Sequence, residues 1–281
     1  MKVVSDIPEL RAWREGLRGE RKLAFVPTMG NLHEGHLTLV RRARELADEV
    51  VVSIFVNPLQ FGPGEDFDAY PRTLDADLSA LAPEGVTRVF VPERSAIYPE
   101  DEAAQTRVHV PLISDILCGA HRPGHFDGVA TVVAKLFALV APEVAVFGRK
   151  DYQQLAVIRR MTADLGLPVA IEGVDTIRDA DGLALSSRNA YLTGDERERA
   201  PLLYATLRWI ADRLTDSETD FAHLTGAGLA RLEDAGMRPE YLEVRQAGTL
   251  APARPEGRNL VVLAAAYLGR ARLIDNIEVH R

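Results

Sequence analysis

Residues 23–36 read Leu23-Ala24-Phe25-Val26-Pro27-Thr28-Met29-Gly30-Asn31-Leu32-His33-Glu34-Gly35-His36. Four consecutive apolar residues predict a buried strand over 23–26. Gly30 and Gly35 then open a loop, and Leu37, Leu39, Val40, Ala43 and Leu46 recur on one helical face over 35–47. Strand, glycine loop and helix in that order form half of a βαβ unit. A second β-branched run follows at 49–56. The alternation continues with a helix over 75–81, a strand over 88–91, a helix over 129–140, a strand over 144–147, a helix over 152–165 and a strand over 169–174. This pattern predicts an α/β fold with a parallel sheet covered on both faces.

The pattern changes beyond about residue 189. Helical stretches are expected near 196–214 and 220–235, then strands at 241–244, 260–267 and 271–277. Leu268-Gly269-Arg270 should turn the last two into a hairpin. Helices followed by strands predict a smaller C-terminal α+β domain. The expected division is 1–185 and 186–281, with a hinge near 183–189 that would let the second domain act as a lid.

Composition restricts the partners. The chain has 281 residues, 47% of them hydrophobic, with a net charge of −8. An acidic balance argues against a nucleic acid or an anionic membrane as partner. The apolar stretch 129–146 is interrupted by Lys135, Pro142 and Glu143, so it does not read as a membrane span. Residues 1–10 do not read as a signal peptide. A single cysteine, Cys118, excludes an internal disulfide and fits a reducing compartment. The only lysines are Lys2, Lys22, Lys135 and Lys150, a scarcity that makes each one notable.

Five clusters carry chemistry. His33 and His36 stand three apart at a helix start, where imidazoles can donate to phosphate oxygens. Asn57 and Gln60, in Asn57-Pro58-Leu59-Gln60-Phe61, offer neutral amides that can orient a carboxylate or hydroxyl. Arg122-Pro123-Gly124-His125-Phe126 precedes a helix. Gly148-Arg149-Lys150-Asp151-Tyr152-Gln153-Gln154 spans a strand-to-helix junction, where Lys150 supplies a point charge, Asp151 suits ribose hydroxyls and Gln154 faces the same turn. Leu185-Ser186-Ser187-Arg188-Asn189 is a compact anion-binding set. Each could be an ordinary cap or turn. Together, with four at predicted strand ends, they predict a nucleotide phosphate site along one sheet edge.

In order and spacing these motifs resemble the pantoate–β-alanine ligase family, the pantothenate synthetases. The resemblance implies a Rossmann-like nucleotidyltransferase domain with a HIGH-like element at 33–36 and a KMSKS-like loop at 185–188. It implies condensation of pantoate with β-alanine through a pantoyl adenylate, with ATP and magnesium, in a cytoplasmic homodimer. His33, His36, Lys150 and Arg188 would carry catalysis. The ATP site would comprise Met29, Gly30, Asn31, Leu32, His33, Glu34, Gly35 and His36; Gly148, Arg149, Lys150 and Asp151; Ile177; and Leu185, Ser186, Ser187 and Arg188. Ile177 would meet adenine through its backbone. Gln60, Gln154, Asn57, Arg122 and His125 would contact pantoate or β-alanine. Magnesium would ride on the ATP phosphates rather than in a protein cage. Leu185 and Arg149 depart from the family's commonest residues, Met at the first and Glu or Gln at the second, and Arg149 adds charge near the nucleotide.

Overall fold

The computed structural model describes residues 1–17, 19–100 and 104–281. The chain forms two compact units, Met1–Arg149 with Val157–Asp175, and Lys150–Ala156 with Thr176–Arg281. The C-terminal division thus falls ahead of the expected residue 185. The cause is local: Arg178 bridges Ala184 in antiparallel fashion and grips Asp275 with both guanidinium nitrogens, at 2.5 and 2.8 Å.

The first unit runs β1 (Lys2–Val4), α1 (Ile7–Glu15), β2 (Leu23–Thr28), α2 (Glu34–Leu46), β3 (Glu49–Ile54), α3 (Leu74–Leu81), β4 (Arg88–Phe90), α4 (Arg94–Ile97), α5 (Cys118–His121), α6 (His125–Val140) and β5 (Val144–Gly148). It ends in the later turns of α7 (Tyr152–Asp164) and in β6 (Ala170–Val174). The six strands lie in the order β1-β4-β3-β2-β5-β6, all paired in parallel. The expected parallel sheet is present. The short β1 and α1 were not legible in the sequence, and α6 begins four residues before the expected start.

The apolar strand runs are buried on both faces. On one, Val26, Val52 and Val146 pack with Val40 and Ala43 of α2. On the other, Phe137 of α6 meets Phe25 and Phe147 edge-on, each at 6.4 Å between ring centroids. Strand β2 pairs with β3 on one side and β5 on the other, so the order reverses there. A parallel sheet opens its ligand crevice at such a switch point, beyond the carboxyl ends of the strands. The loops after β2 and β5 carry the 29–36 and 148–149 motifs.

The second unit contains α8 (Gly194–Arg199), α9 (Leu202–Thr215), α10 (Phe221–Asp234) and the antiparallel sheet β7 (Arg238–Gln246), β8 (Asn259–Leu268) and β9 (Ala271–His280), in that order. The helix expected over 196–214 is two helices. Pro201 has no N–H to continue α8, so the chain restarts at Leu202. Thr193 and Glu196 close a capping box at the start of α8. The hairpin stands as expected: Leu268 pairs with Ala271 across Gly269, whose φ is +55°. Among the described residues, no helix is long and apolar enough to cross a membrane.

Candidate active site

In the first unit the 29–36 loop is held from below by a carboxylate that the sequence did not announce. Asp77 of α3 is 2% exposed and accepts the backbone N–H groups of Asn31 at 3.0 Å and Leu32 at 2.8 Å. Gly30 has φ +80°, and a Cβ there would lie 2.9 Å from Asp77 Oδ2 and 3.1 Å from Ile54. Gly30 is therefore required by the protein's own packing, not only by an approaching ligand. The backbone N–H groups of Asn31 and Leu32, two residues expected at the nucleotide, are engaged by Asp77.

Beyond this turn the two histidines cap α2 reciprocally. His33 Nδ1 accepts from Gly35 N–H at 3.2 Å, and His36 Nδ1 accepts from His33 N–H at 3.3 Å. Accepting at Nδ1 places the ring proton on Nε2 in both. Their rings lie 4.1 Å apart between centroids. The result is a pair of neutral N–H donors at a helix N-terminus, where backbone dipoles also favour an anion.

The Asn57–Gln60 turn is oriented by backbone groups that cannot change role. Asn57 Oδ1 accepts Leu59 N–H at 3.3 Å, and its Nδ2 donates to Gly128 C=O at 3.0 Å. The second Nδ2 proton then goes to Gln60 Oε1 at 3.1 Å. Gln60 Nε2 is thereby the donor end of its amide and lies 2.9 Å from Met29 Sδ. Asn57 was expected to touch substrate. At 1% exposure, with Tyr98 O–H also donating to Oδ1 at 2.8 Å, its side chain is fully committed. The structure makes it the support of Gln60.

Gly128 is what lets α6 come this close. A Cβ there would fall 2.0 Å from the Leu59 carbonyl oxygen. His125 Nδ1–H donates to Gln60 C=O at 2.7 Å, so its Nε2 accepts from Arg122 Nη1 at 3.2 Å. Arg122 also donates to Gln60 C=O at 3.2 Å and pairs with Glu65, its Nε 2.7 Å from Oε1. Burial works to raise the Glu65 carboxyl, but the Arg122 guanidinium outweighs it and leaves the pKa lowered. Arg122 and His125 thus brace the Gln60 backbone.

At the end of β5, a Cβ added to Gly148 would meet no atom within 4 Å among the described residues. Packing does not require that glycine, so it leaves room for a ligand. Arg149 is paired with Asp175 at 3.3 Å and donates to Gly173 C=O at 3.3 Å. Its added charge is met within the unit.

The second unit gathers the remaining motif residues. Lys150 C=O accepts from Asn276 Nδ2 at 2.9 Å, and Tyr152 O–H donates to Glu278 at 2.7 Å. These bonds to β9 hold Lys150, Asp151 and Gln154 within this unit. Lys150 Nζ lies 3.9 Å from Asp151. Ser186 caps a short 3-10 turn by accepting Arg188 N–H at 3.3 Å, and Ser187 begins that turn. Ile177 C=O accepts Leu185 N–H at 2.9 Å, so that carbonyl is engaged within the unit. Lys150, Ser186 and Asn189 line one cleft with Tyr204 and Asp275. In the C-terminal sheet, Asn276 bonds the Lys150 carbonyl and Asp275 pairs with Arg178.

A family profile described as Pantoate-beta-alanine ligase matches residues 2–278. The pantothenate synthetase of a Pseudomonas putida strain is 57% identical over 281 residues, covering 100% of this chain and 98% of that one. That of Azotobacter vinelandii is 55% identical over 280 residues, covering 99% of each. A crystal structure of pantothenate synthetase from Thermus thermophilus matches with a TM-score of 0.93 and 47% identity, covering 100% of both chains. A structure of the Francisella tularensis pantoate-β-alanine ligase, complexed with beta-gamma ATP and β-alanine, matches with a TM-score of 0.82 and 35% identity over 99% of this chain and 97% of that one.

Proposed function

The chain belongs to the pantoate–β-alanine ligase family, and from that premise we propose that it condenses (R)-pantoate with β-alanine through a pantoyl adenylate. An acid and an amine do not condense unaided in water, so the carboxylate must first acquire a leaving group. A pantoate carboxylate oxygen attacks the α-phosphorus of ATP, and pyrophosphate departs. The β-alanine amine then attacks the acyl carbon; AMP leaves, the amide forms, and the amine sheds its proton. No enzyme nucleophile is needed, only positioning and stabilisation of phosphoryl charge.

The observation that carries this reading is the Gln60–Met29 contact of 2.9 Å. It sets an amide donor, suited to a small hydroxy acid, beside the loop that leads to the Nε2–H donors of His33 and His36. In the first unit, those histidines stabilise the pentavalent α-phosphate, Met29 and Gly35 line the ATP pocket, Gly148 contacts ribose, and Gln60 takes pantoate and β-alanine. In the second, Lys150, Ser186, Ser187 and Arg188 hold phosphates, Asp151 contacts ribose, Ile177 contacts adenine through its backbone and Gln154 takes pantoate.

Among the described residues, no three His, Cys, Asp or Glu side chains gather as an ion cage. Magnesium is proposed to arrive on the triphosphate, where it would supply charge neutralisation. Homodimeric assembly and a cytoplasmic location complete the proposal, to be read by light scattering and cell fractionation.

One assay tests the chemistry. ATP and pantoate are incubated with and without β-alanine, and pyrophosphate exchange and AMP are followed. Pantoate-dependent exchange, with AMP released only when β-alanine is present, is the expected result. ATP binding without turnover would overturn the reading and favour an ATP-binding regulator.

A further inference from the structure

Lys135 is one of four lysines in the chain and has no part in the proposed chemistry. It stands on α6 seven residues after Gly128, hence on the same helical face. Its Nζ donates to Ile97 C=O at 2.7 Å and to Gln105 Oε1 at 3.0 Å, and lies 4.8 Å from the Tyr98 ring centroid. Lys135 therefore ties the backbone carbonyl just before Tyr98 to the Gln105 side chain, with its ammonium beside the Tyr98 ring. Tyr98 is 3% exposed and donates its O–H to Asn57 Oδ1 at 2.8 Å. Asn57 in turn donates to Gln60 Oε1 at 3.1 Å. The path from lysine to glutamine is continuous, and it ends on the amide proposed to bind pantoate.

We propose that Tyr98 and Lys135 are positioning residues that set the direction of the Gln60 amide through Asn57. The physical need is specific. Gln60 is useful to a carboxylate only if its NH2 group, not its carbonyl, faces outward. The two backbone bonds of Asn57 fix which way its amide points, and the Tyr98 hydroxyl fixes where it sits. Without that hydroxyl the Asn57 side chain gains freedom to swing, and the bond to Gln60 Oε1 weakens with it. The cation beside the Tyr98 ring and the two acceptors on Lys135 hold the hydroxyl in reach. The inference rests on the reading of Gln60 as a pantoate ligand.

The test uses the full chain carrying Tyr98→Phe, Lys135→Met, Gln60→Ala, and each of the first two combined with Gln60→Ala. KM for pantoate and for ATP is measured in every case. Tyr98→Phe is expected to raise KM for pantoate about three- to tenfold, the size of one buried hydrogen bond. KM for ATP is expected to stay within about twofold, because no nucleotide contact is altered. Lys135→Met shifts pantoate KM in the same direction by less, and carries the comparison alone should Tyr98→Phe not fold. In the Gln60→Ala background neither substitution adds to the pantoate effect, whereas a merely structural role would give additive losses. Equal changes in both KM values, additive losses, or an unchanged pantoate KM in Tyr98→Phe while Gln60→Ala raises it would overturn the positioning role alone. An unchanged pantoate KM in Gln60→Ala would overturn the reading of Gln60, and the inference with it.

Discussion

Asp77 accepts the backbone N–H of Leu32 at 2.8 Å from 45 residues away in the chain. With the bond to Asn31 it holds the turn that leads from β2 to the His33 cap. Asp77→Ala would leave both N–H groups without their carboxylate. The expected cost is about 3 kcal/mol of stability, with ATP KM raised at least tenfold as the loop loosens. Asp77→Asn keeps one acceptor oxygen and should lose roughly half as much. Urea titration together with ATP kinetics checks both.

Gly128→Ala places a methyl 2.0 Å from the Leu59 carbonyl oxygen. The backbone must move apart, at a cost of about 1–3 kcal/mol. Because the displaced turn carries Gln60, pantoate KM should rise while ATP KM holds. Equal behaviour of the two substrates would show that the strain is absorbed elsewhere.

Lys150→Ala removes a side chain that is 18% exposed and whose backbone carbonyl remains bonded to Asn276. Folding should survive, with a melting temperature close to that of the parent protein. Adenylate formation should fall about 10²–10³-fold. Pyrophosphate exchange, compared with thermal denaturation, separates the two effects, and near-normal exchange would remove Lys150 from the catalytic set.

Glu65 gives a pH signature. Its carboxyl pKa is lowered from an ordinary value of 4.5, burial being outweighed by Arg122. A folded pKa below the unfolded one stabilises the protein fully above the unfolded value, and that stabilisation fades as pH falls through the folded value. Glu65→Gln should therefore lower the melting temperature by a constant amount from about pH 7 down to about pH 5. The gap should close on further acidification, as the parent's own carboxylate takes up its proton. A gap that widens toward acid would contradict this account.

What could be read from the sequence is what the chain keeps adjacent. His33 and His36 share one turn, and Asn57 and Gln60 share another, so their pairing follows from spacing alone. The parallel sheet was legible because its central strands are continuous apolar runs. Long-range partners were not. Asp77 looks like any carboxylate in the first turn of an exposed helix, and Glu65 like a loop residue, until the fold brings them to Leu32 and Arg122. Tyr98 meets Asn57 across 41 residues, and Asn276 meets Lys150 across 126. Pro201 was the one visible signal passed over, since a proline inside a helical pattern marks a break. The role of Asn57 could not be read because a buried amide and a ligand-binding amide share one letter.

Lys150–Ala156 groups with the C-terminal residues, whereas Arg149 and Val157 on either side do not. The polypeptide therefore changes unit at 149/150, 156/157 and 175/176. No single cut yields two self-sufficient fragments. A piece ending at Asp175 would hold Lys150 without Asn276, and the complementary piece would hold Asn276 with nothing to anchor. Such halves, expressed apart, should each lack a lysine ready to receive a phosphate. The heredity of this architecture is thus indivisible: gene fission or module shuffling at the apparent border would part Lys150 from Asn276.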